Sequence, residues 1–182
     1  FAFLLLKENE MYIALDKFGL RPLSLGRIGD NGIVVASETC AFDVIGAEYI
    51  RDVKPGEVIR IDLEGITSER YATTCDQSMC SMEYVYFARP DSDVEGINVH
   101  QARKNCGRIL AQEAPIEADI VVGVPDSGLS AAIGYAEEAN IPFEIGMVKN
   151  KYIGRTFIQP SQALREQGVK MKLSAVRSIV KD

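Results

Sequence analysis

The first seventy residues alternate short apolar runs with polar turns, at the spacing of strands. Phe1–Leu6 and Met11–Leu15 are apolar, and the charged Lys7-Glu8-Asn9-Glu10 between them predicts a β-hairpin with the opening strand buried. Asp16-Lys17-Phe18-Gly19 is a second turn, leading into Leu20–Gly26. Gly32–Ser37 predicts a strand and Glu38–Ile45 a short helix, and Pro55-Gly56 turns the chain into a strand over Glu57–Ile61. Asp62–Gly65 turns it again. Residues 1–70 thus predict an all-β region, with no internal repeat and no low-complexity stretch.

The pattern changes near Tyr71. Cys75–Cys80 is polar and irregular, as an interdomain crossing would be, and Tyr84–Ala88 is apolar and aromatic until Arg89-Pro90-Asp91-Ser92 breaks it. Val99–Glu113 predicts a helix with an apolar stripe of Ala102, Cys106, Ile109 and Leu110, and with Arg103, Lys104 and Arg108 outside. Ile120–Val124 is a β-branched run that predicts a buried strand. Pro125-Asp126-Ser127-Gly128 is a turn, and Leu129, Ala132, Ile133 and Ala136 recur at helical spacing after it. Pro142–Val148 predicts a second strand, parallel to the first through a right-handed βαβ connection.

A strand–turn–helix of this kind aims backbone N–H groups and a helix N-terminus at the end of the sheet, where a phosphate is well accommodated. The segment leaving the second strand, Lys149-Asn150-Lys151-Tyr152-Ile153-Gly154-Arg155-Thr156-Phe157, is basic. It runs on without a clean period to a weak helix near Arg165. Ligands of open α/β sheets bind at the carboxyl ends of the strands, so a long basic loop there is placed to close over phosphates.

Charge sharpens this picture. The net charge is −6, but residues 1–146 carry 12 Lys/Arg against 24 Asp/Glu, while residues 147–182 carry 8 against 2. The basic residues of the second stretch are dispersed among Gly and Pro, a pattern that suits a phosphorylated small molecule at least as well as nucleic acid. FAFLLL is too short to span a bilayer and lacks the basic flank of a secretory signal, so no membrane partner is expected. Four irregularly spaced cysteines make no disulfide framework, which points to a reduced, cytoplasmic setting.

Five stretches carry a family resemblance: GLRPLSLG from Gly19, ASETCAFDVIGAEYIRDVKPGEV from Ala36, CSMEYVYFARPDS from Cys80, GVPDSG from Gly123, and KNKYIGRTFIQPSQALREQGVKMKLSAVR from Lys149. Together they resemble the amidophosphoribosyltransferase family, the glutamine-dependent enzymes that begin purine synthesis. The resemblance implies α+β followed by α/β architecture. Residues 1–72 would be the C-terminal part of an N-terminal-nucleophile glutaminase domain, an αββα sandwich. Residues 73–182 would be the N-terminal part of a phosphoribosyltransferase domain, with its parallel sheet and flexible loop. The implied reaction converts glutamine, phosphoribosyl pyrophosphate (PRPP) and water into phosphoribosylamine, pyrophosphate and glutamate. The complete enzyme would be a homo-oligomer with PRPP and glutamine as partners.

The resemblance also assigns roles. Ser127 corresponds to a hydroxyl ligand of Mg²⁺, with an N-cap as its plainer role. Asp126 and Gly128 would shape the pyrophosphate turn and offer it backbone N–H groups. Lys149, Tyr152 and Arg155 would lie in the loop that orders over PRPP, where a cation stabilises charge on the departing pyrophosphate. Cys80 corresponds to a ligand of the 4Fe–4S cluster found in one branch of the family, its plainer role being an ordinary interdomain thiol. Cys106 fits the helix stripe, and Cys40 is expected to pack. The family's nucleophilic N-terminal Cys is Phe at position 1, and no Asp-Asp pair exists for the acidic diphosphate loop. The stretch is therefore expected to be an internal piece, inactive alone. A non-catalytic PRPP sensor or interaction module is the alternative reading.

Overall fold

The computed structural model describes residues 1–181. They fall into two compact units, the first Phe1–His100 and the second from Gln101 onward. The polar stretch Cys75–Cys80 lies inside the first unit, so this division comes later than the change of pattern at Tyr71.

In the first unit, β1 (Ala2–Lys7) and β2 (Glu10–Leu15) form the expected hairpin, closed by Glu8-Asn9, with Lys7 opposite Glu10. β3 (Ser24–Ile28) and β4 (Gly32–Ala36) are antiparallel, and α1 (Cys40–Ile45) follows. Gly46 ends α1 with φ of 68°, in the left-handed region that suits glycine. β5 (Glu48–Asp52) pairs with β3. β6 (Glu57–Asp62) and β7 (Gly65–Arg70) then complete a four-stranded antiparallel sheet in the order β1-β2-β6-β7, beside a three-stranded sheet β4-β3-β5.

The core of this unit joins Ile13, Leu15 and Ile59 of the larger sheet to Leu25 of the smaller, with Leu23 and Val53 alongside. The alternation along β2 and β6 produces it: residues two apart share the inward face. Phe42 is buried and packs over Gly26, at the point where the β3–β5 register shifts. Glu57 is also buried. Burial works to raise its pKa, but hydrogen bonds from the Arg51 guanidinium, the Ser68 hydroxyl and the Lys54 amide outweigh it and hold the carboxyl at about 2.

Two expectations fail here. β1 is not buried: Phe3, Leu4, Leu5 and Leu6 are 54–81% exposed, because β1 is an edge strand paired only with β2. Apolar content and burial part company at an edge position. β5 and β7 were not predicted, since Glu48–Asp52 is flanked by acids and every residue of β7 is exposed, leaving no alternation to read. The unit closes with a π-helical turn over Glu83–Phe87 and the short antiparallel pair β8 (Asp93–Val94) and β9 (Ile97–Asn98). Ala88, Val94 and Val99 are buried together beneath them.

The second unit is α/β. α2 (Val99–Glu113) has the predicted bounds but not the predicted face. Ile109 and Leu110 are each 53% exposed and Cys106 is exposed, whereas Arg103, Gly107 and Ala111 are buried at four-residue spacing. The face that packs is set by close backbone approach to the next helix, which favours glycine over bulk. β10 (Val121–Val122) leads through the turn to α3 (Leu129–Ala139), and β11 (Phe143–Glu144) returns parallel to β10, pairing Val121 with Phe143 and Val122 with Glu144. The parallel relation is as expected, but both strands are shorter, and Val124 is 57% exposed.

β12 (Met147–Lys149), α4 (Gln162–Lys172), β13 (Leu173–Ala175) and α5 (Arg177–Val180) complete the chain. β12 and β13 are antiparallel, with Lys149 opposite Leu173. No helix among the described residues is long and apolar enough to cross a membrane.

Candidate functional site

The turn between β10 and α3 is built from its glycines outward. A Cβ on Gly123 would stand 2.9 Å from the Leu129 side chain, so the strand must end on glycine for α3 to fold back over it. A Cβ on Gly128 would stand 2.8 Å from the Val124 carbonyl oxygen. Instead the Gly128 N–H donates to that oxygen at 3.1 Å, which tightens the turn, and the Leu129 N–H donates to the Asp126 carbonyl at 3.4 Å. The Pro125–Asp126 peptide is cis.

This geometry separates the turn residues by role. The Gly128 N–H is already committed to Val124, so the expectation that it faces an anion is corrected. The Asp126 and Ser127 N–H groups donate to no protein acceptor among the described residues. Gly128 occupies the N-cap position of α3, with no side-chain cap, and the exposed Ser127 hydroxyl makes no hydrogen bond among the described residues. The N-cap role for Ser127 is thus unused, in contrast to Ser161, whose Oγ accepts from the Leu164 N–H at 3.3 Å and caps α4.

Lys149 reaches the turn. Its Nζ donates to Asp126 Oδ2 at 2.6 Å, with the lysine side chain 27% exposed and the aspartate 62%. Lys149 is the last residue of β12 and Asp126 follows the carboxyl end of β10, so two strand ends bring the pair together.

The loop after Lys149 is pinned to α4. The Asn150 N–H donates to the Lys172 carbonyl at 2.7 Å, Lys172 Nζ to the Gly154 carbonyl at 2.9 Å, and Arg165 Nε to the Gln159 carbonyl at 2.9 Å. Thr156 is buried, and a Cβ on Gly168 would lie 3.0 Å from its methyl. Between these anchors Tyr152 is 98% exposed, and Arg155 is exposed with no ion pair or side-chain hydrogen bond among the described residues. The structure therefore gathers Asp126, Ser127, Gly128 and Lys149, and leaves Tyr152 and Arg155 exposed in the loop, lining a cavity with Gly168 and Met171 of α4.

Cys80 lies in the first unit, half-buried, where its N–H donates to the Leu20 carbonyl at 3.1 Å and its carbonyl accepts from the Glu83 N–H at 3.0 Å. Cys40 is buried as expected, and all four cysteines are free. Among the described residues no group of three or more His, Cys, Asp or Glu is placed to hold a metal. A 4Fe–4S cluster needs four thiolates, and the described residues gather no such group around Cys80. A hard cation such as Mg²⁺ asks less of the protein: a single hydroxyl, with water and phosphate oxygens, is a compatible donor set, and Ser127 supplies that hydroxyl.

An antiparallel β unit and an α/β unit with a strand–turn–helix after its first parallel strand define a two-unit protein of mixed α/β class. No protein-family model matches the chain. It is, however, 65% identical over 180 residues to amidophosphoribosyltransferase of Bacillus subtilis (strain 168), covering 99% of this chain and 38% of that protein. It is 50% identical over 181 residues to amidophosphoribosyltransferase of Mycobacterium tuberculosis, covering 100% of this chain and 34% of that protein. The structure of glutamine PRPP amidotransferase from B. subtilis complexed with ADP and GMP superposes with a TM-score of 0.89 at 65% identity, over 98% of this chain and 39% of that one. Along nearly its whole length the chain is similar in sequence and fold to these amidophosphoribosyltransferases, and it spans less than two fifths of their length.

Proposed function

We propose that the protein carrying this chain catalyses the glutamine-dependent amination of PRPP, releasing pyrophosphate and glutamate. In this reading residues 1–72 belong to the glutaminase sandwich and residues 73–182 to the phosphoribosyltransferase domain. The observation that carries the reading is the juxtaposition beyond the end of β10: two backbone N–H groups and a hydroxyl without protein partners among the described residues, and a lysine ammonium reaching them from β12.

The Asp126 and Ser127 N–H groups, with the N-terminal end of α3 behind them, bind the pyrophosphate moiety, and Lys149 offsets its charge. The loop from Asn150 to Ser161 folds over the ligand, bringing Tyr152 and Arg155 from their exposed positions toward the leaving group. There a guanidinium stabilises developing negative charge, and closure keeps water from competing with ammonia. Magnesium, held by the Ser127 hydroxyl and by phosphate oxygens, supplies charge neutralisation when bound. In the complete protein Cys80 would supply one thiolate of a 4Fe–4S cluster, a role that rests on the family resemblance.

The test is pyrophosphate release by the complete protein with PRPP and magnesium, supplied with glutamine or with ammonium. Release that requires both PRPP and a nitrogen donor supports the reading. PRPP binding without turnover on either donor would replace it with a non-catalytic sensor.

A further inference from the structure

We propose that Asp126 is a resting counter-ion for Lys149, a positioning residue whose carboxylate holds the ammonium in place until an incoming phosphoryl group displaces it. The inference rests on reading the β10–α3 turn as a pyrophosphate site and assigns that site a built-in competitor. The Asp126 side chain contributes an opposing charge, while its backbone N–H contributes binding.

Three observations support it. Lys149 Nζ lies 2.6 Å from Asp126 Oδ2, so the one ammonium at the turn is already paired with an anion. The two ends of that pair differ in freedom. The lysine backbone is fixed by the β12–β13 register opposite Leu173 and its side chain is 27% exposed, whereas the carboxylate is 62% exposed and can turn to solvent. Finally, the Asp126 and Ser127 N–H groups stand beside the pair without protein acceptors among the described residues, so an anion arriving at them meets Lys149 at once. An ammonium is a compact charge with three donors that can pass from one oxygen to another without a planar geometry to rebuild. The exchange leaves Asp126 solvated and passes the ammonium from one anion to another.

An exposed ion pair is weak, so its competition is modest, about two- to five-fold in affinity. Inorganic pyrophosphate is titrated calorimetrically into the complete protein at low ionic strength, in the wild type, Asp126→Asn, Lys149→Met and the double variant. Lys149→Met is expected to weaken binding. Asp126→Asn is expected to tighten it about two- to five-fold, and that gain is expected to vanish in the Lys149→Met background, while Asp126→Glu restores wild-type affinity. A gain of equal size with and without Lys149 would show direct repulsion of the ligand and overturn the proposal, as would Asp126→Asn binding no tighter than wild type. In both cases the pyrophosphate site itself stands. If the wild type and all variants fail to bind pyrophosphate, the site reading falls and the proposal with it.

Discussion

Gly134 of α3 faces the backbone of Lys104 in α2 so closely that a Cβ added to it would stand 1.9 Å from the Lys104 carbonyl oxygen. The contact is reciprocal: a Cβ on Gly107 would stand 1.9 Å from the Ala131 carbonyl oxygen. Two helices meet here backbone to backbone. Lys104 and Arg108 of α2 flank the contact with ion pairs to Glu137, and Tyr135 ties α3 to the carbonyl of Ala114 just past α2. Because α3 begins at the Asp126–Gly128 turn, this crossing sets how far the turn projects. Gly134→Ala and Gly107→Ala are each expected to destabilise the protein by about 3 kcal/mol, since no flexible side chain can yield. Urea denaturation monitored by circular dichroism measures the loss.

Glu57 gives the first unit an acid-sensitive clasp. The carboxyl has a pKa of about 2 in the folded chain against 4.5 ordinarily. A lowered carboxylate pKa stabilises the fold above the ordinary value, and that stability is lost as the pH falls from about 4.5 toward 2. The shift corresponds to a contribution on the order of 3 kcal/mol. Glu57→Gln is expected to lower the urea midpoint at pH 7, because Arg51 is left without its charge partner, and to flatten the decline of that midpoint between pH 5 and pH 3. A wild type and variant with parallel pH profiles would contradict it.

The two serines that precede helices are predicted to behave oppositely. Ser127→Ala removes no cap, so thermal stability should change by less than about 0.5 kcal/mol, while PRPP binding in the presence of magnesium weakens. Ser161→Ala removes the Leu164 cap of α4 and should cost about 1 kcal/mol. Thermal denaturation of both variants, with PRPP titration of the first, distinguishes a hydroxyl held for a ligand from one held for a helix.

Among the described residues the Arg155 side chain has no ion-pair or hydrogen-bond partner to lose, so Arg155→Ala should leave the unfolding midpoint unchanged. In the complete protein we expect a lower kcat with glutamine and with ammonium alike, while glutamine hydrolysis measured without PRPP survives. Unchanged ammonium-dependent synthesis would remove Arg155 from the chemistry.

The elements that bury an alternating or helical face were legible in the sequence. Ile13 and Leu15 of β2, Ile59 of β6, and the turn between two parallel strands all follow from local pattern. What escaped depends on partners the pattern does not carry. β7 is exposed at every position and exists because β6 offers it an edge. The packed face of α2 was misread because Gly107 scores as weak in any hydrophobic pattern, yet it makes the closest approach. At the site, Asp126, Ser127 and Lys149 were each identifiable by type and position. The ion pair between the first and last was not, because it joins residues 23 apart in sequence across two strand ends.

The pairing of Lys149 with Leu173 has a consequence for how this part of the chain can vary. Everything from Asn150 to Lys172 is an excursion that leaves and re-enters at neighbouring points of one small ladder. Its ends are clasped independently of what lies between, so lengthening it would cost little, about 0.6 kcal/mol for a doubling of a flexible loop. The region thus behaves as an exchangeable cassette. Its contents can be rewritten to suit a different ligand, while the ladder keeps Lys149 at the same distance from the turn it serves.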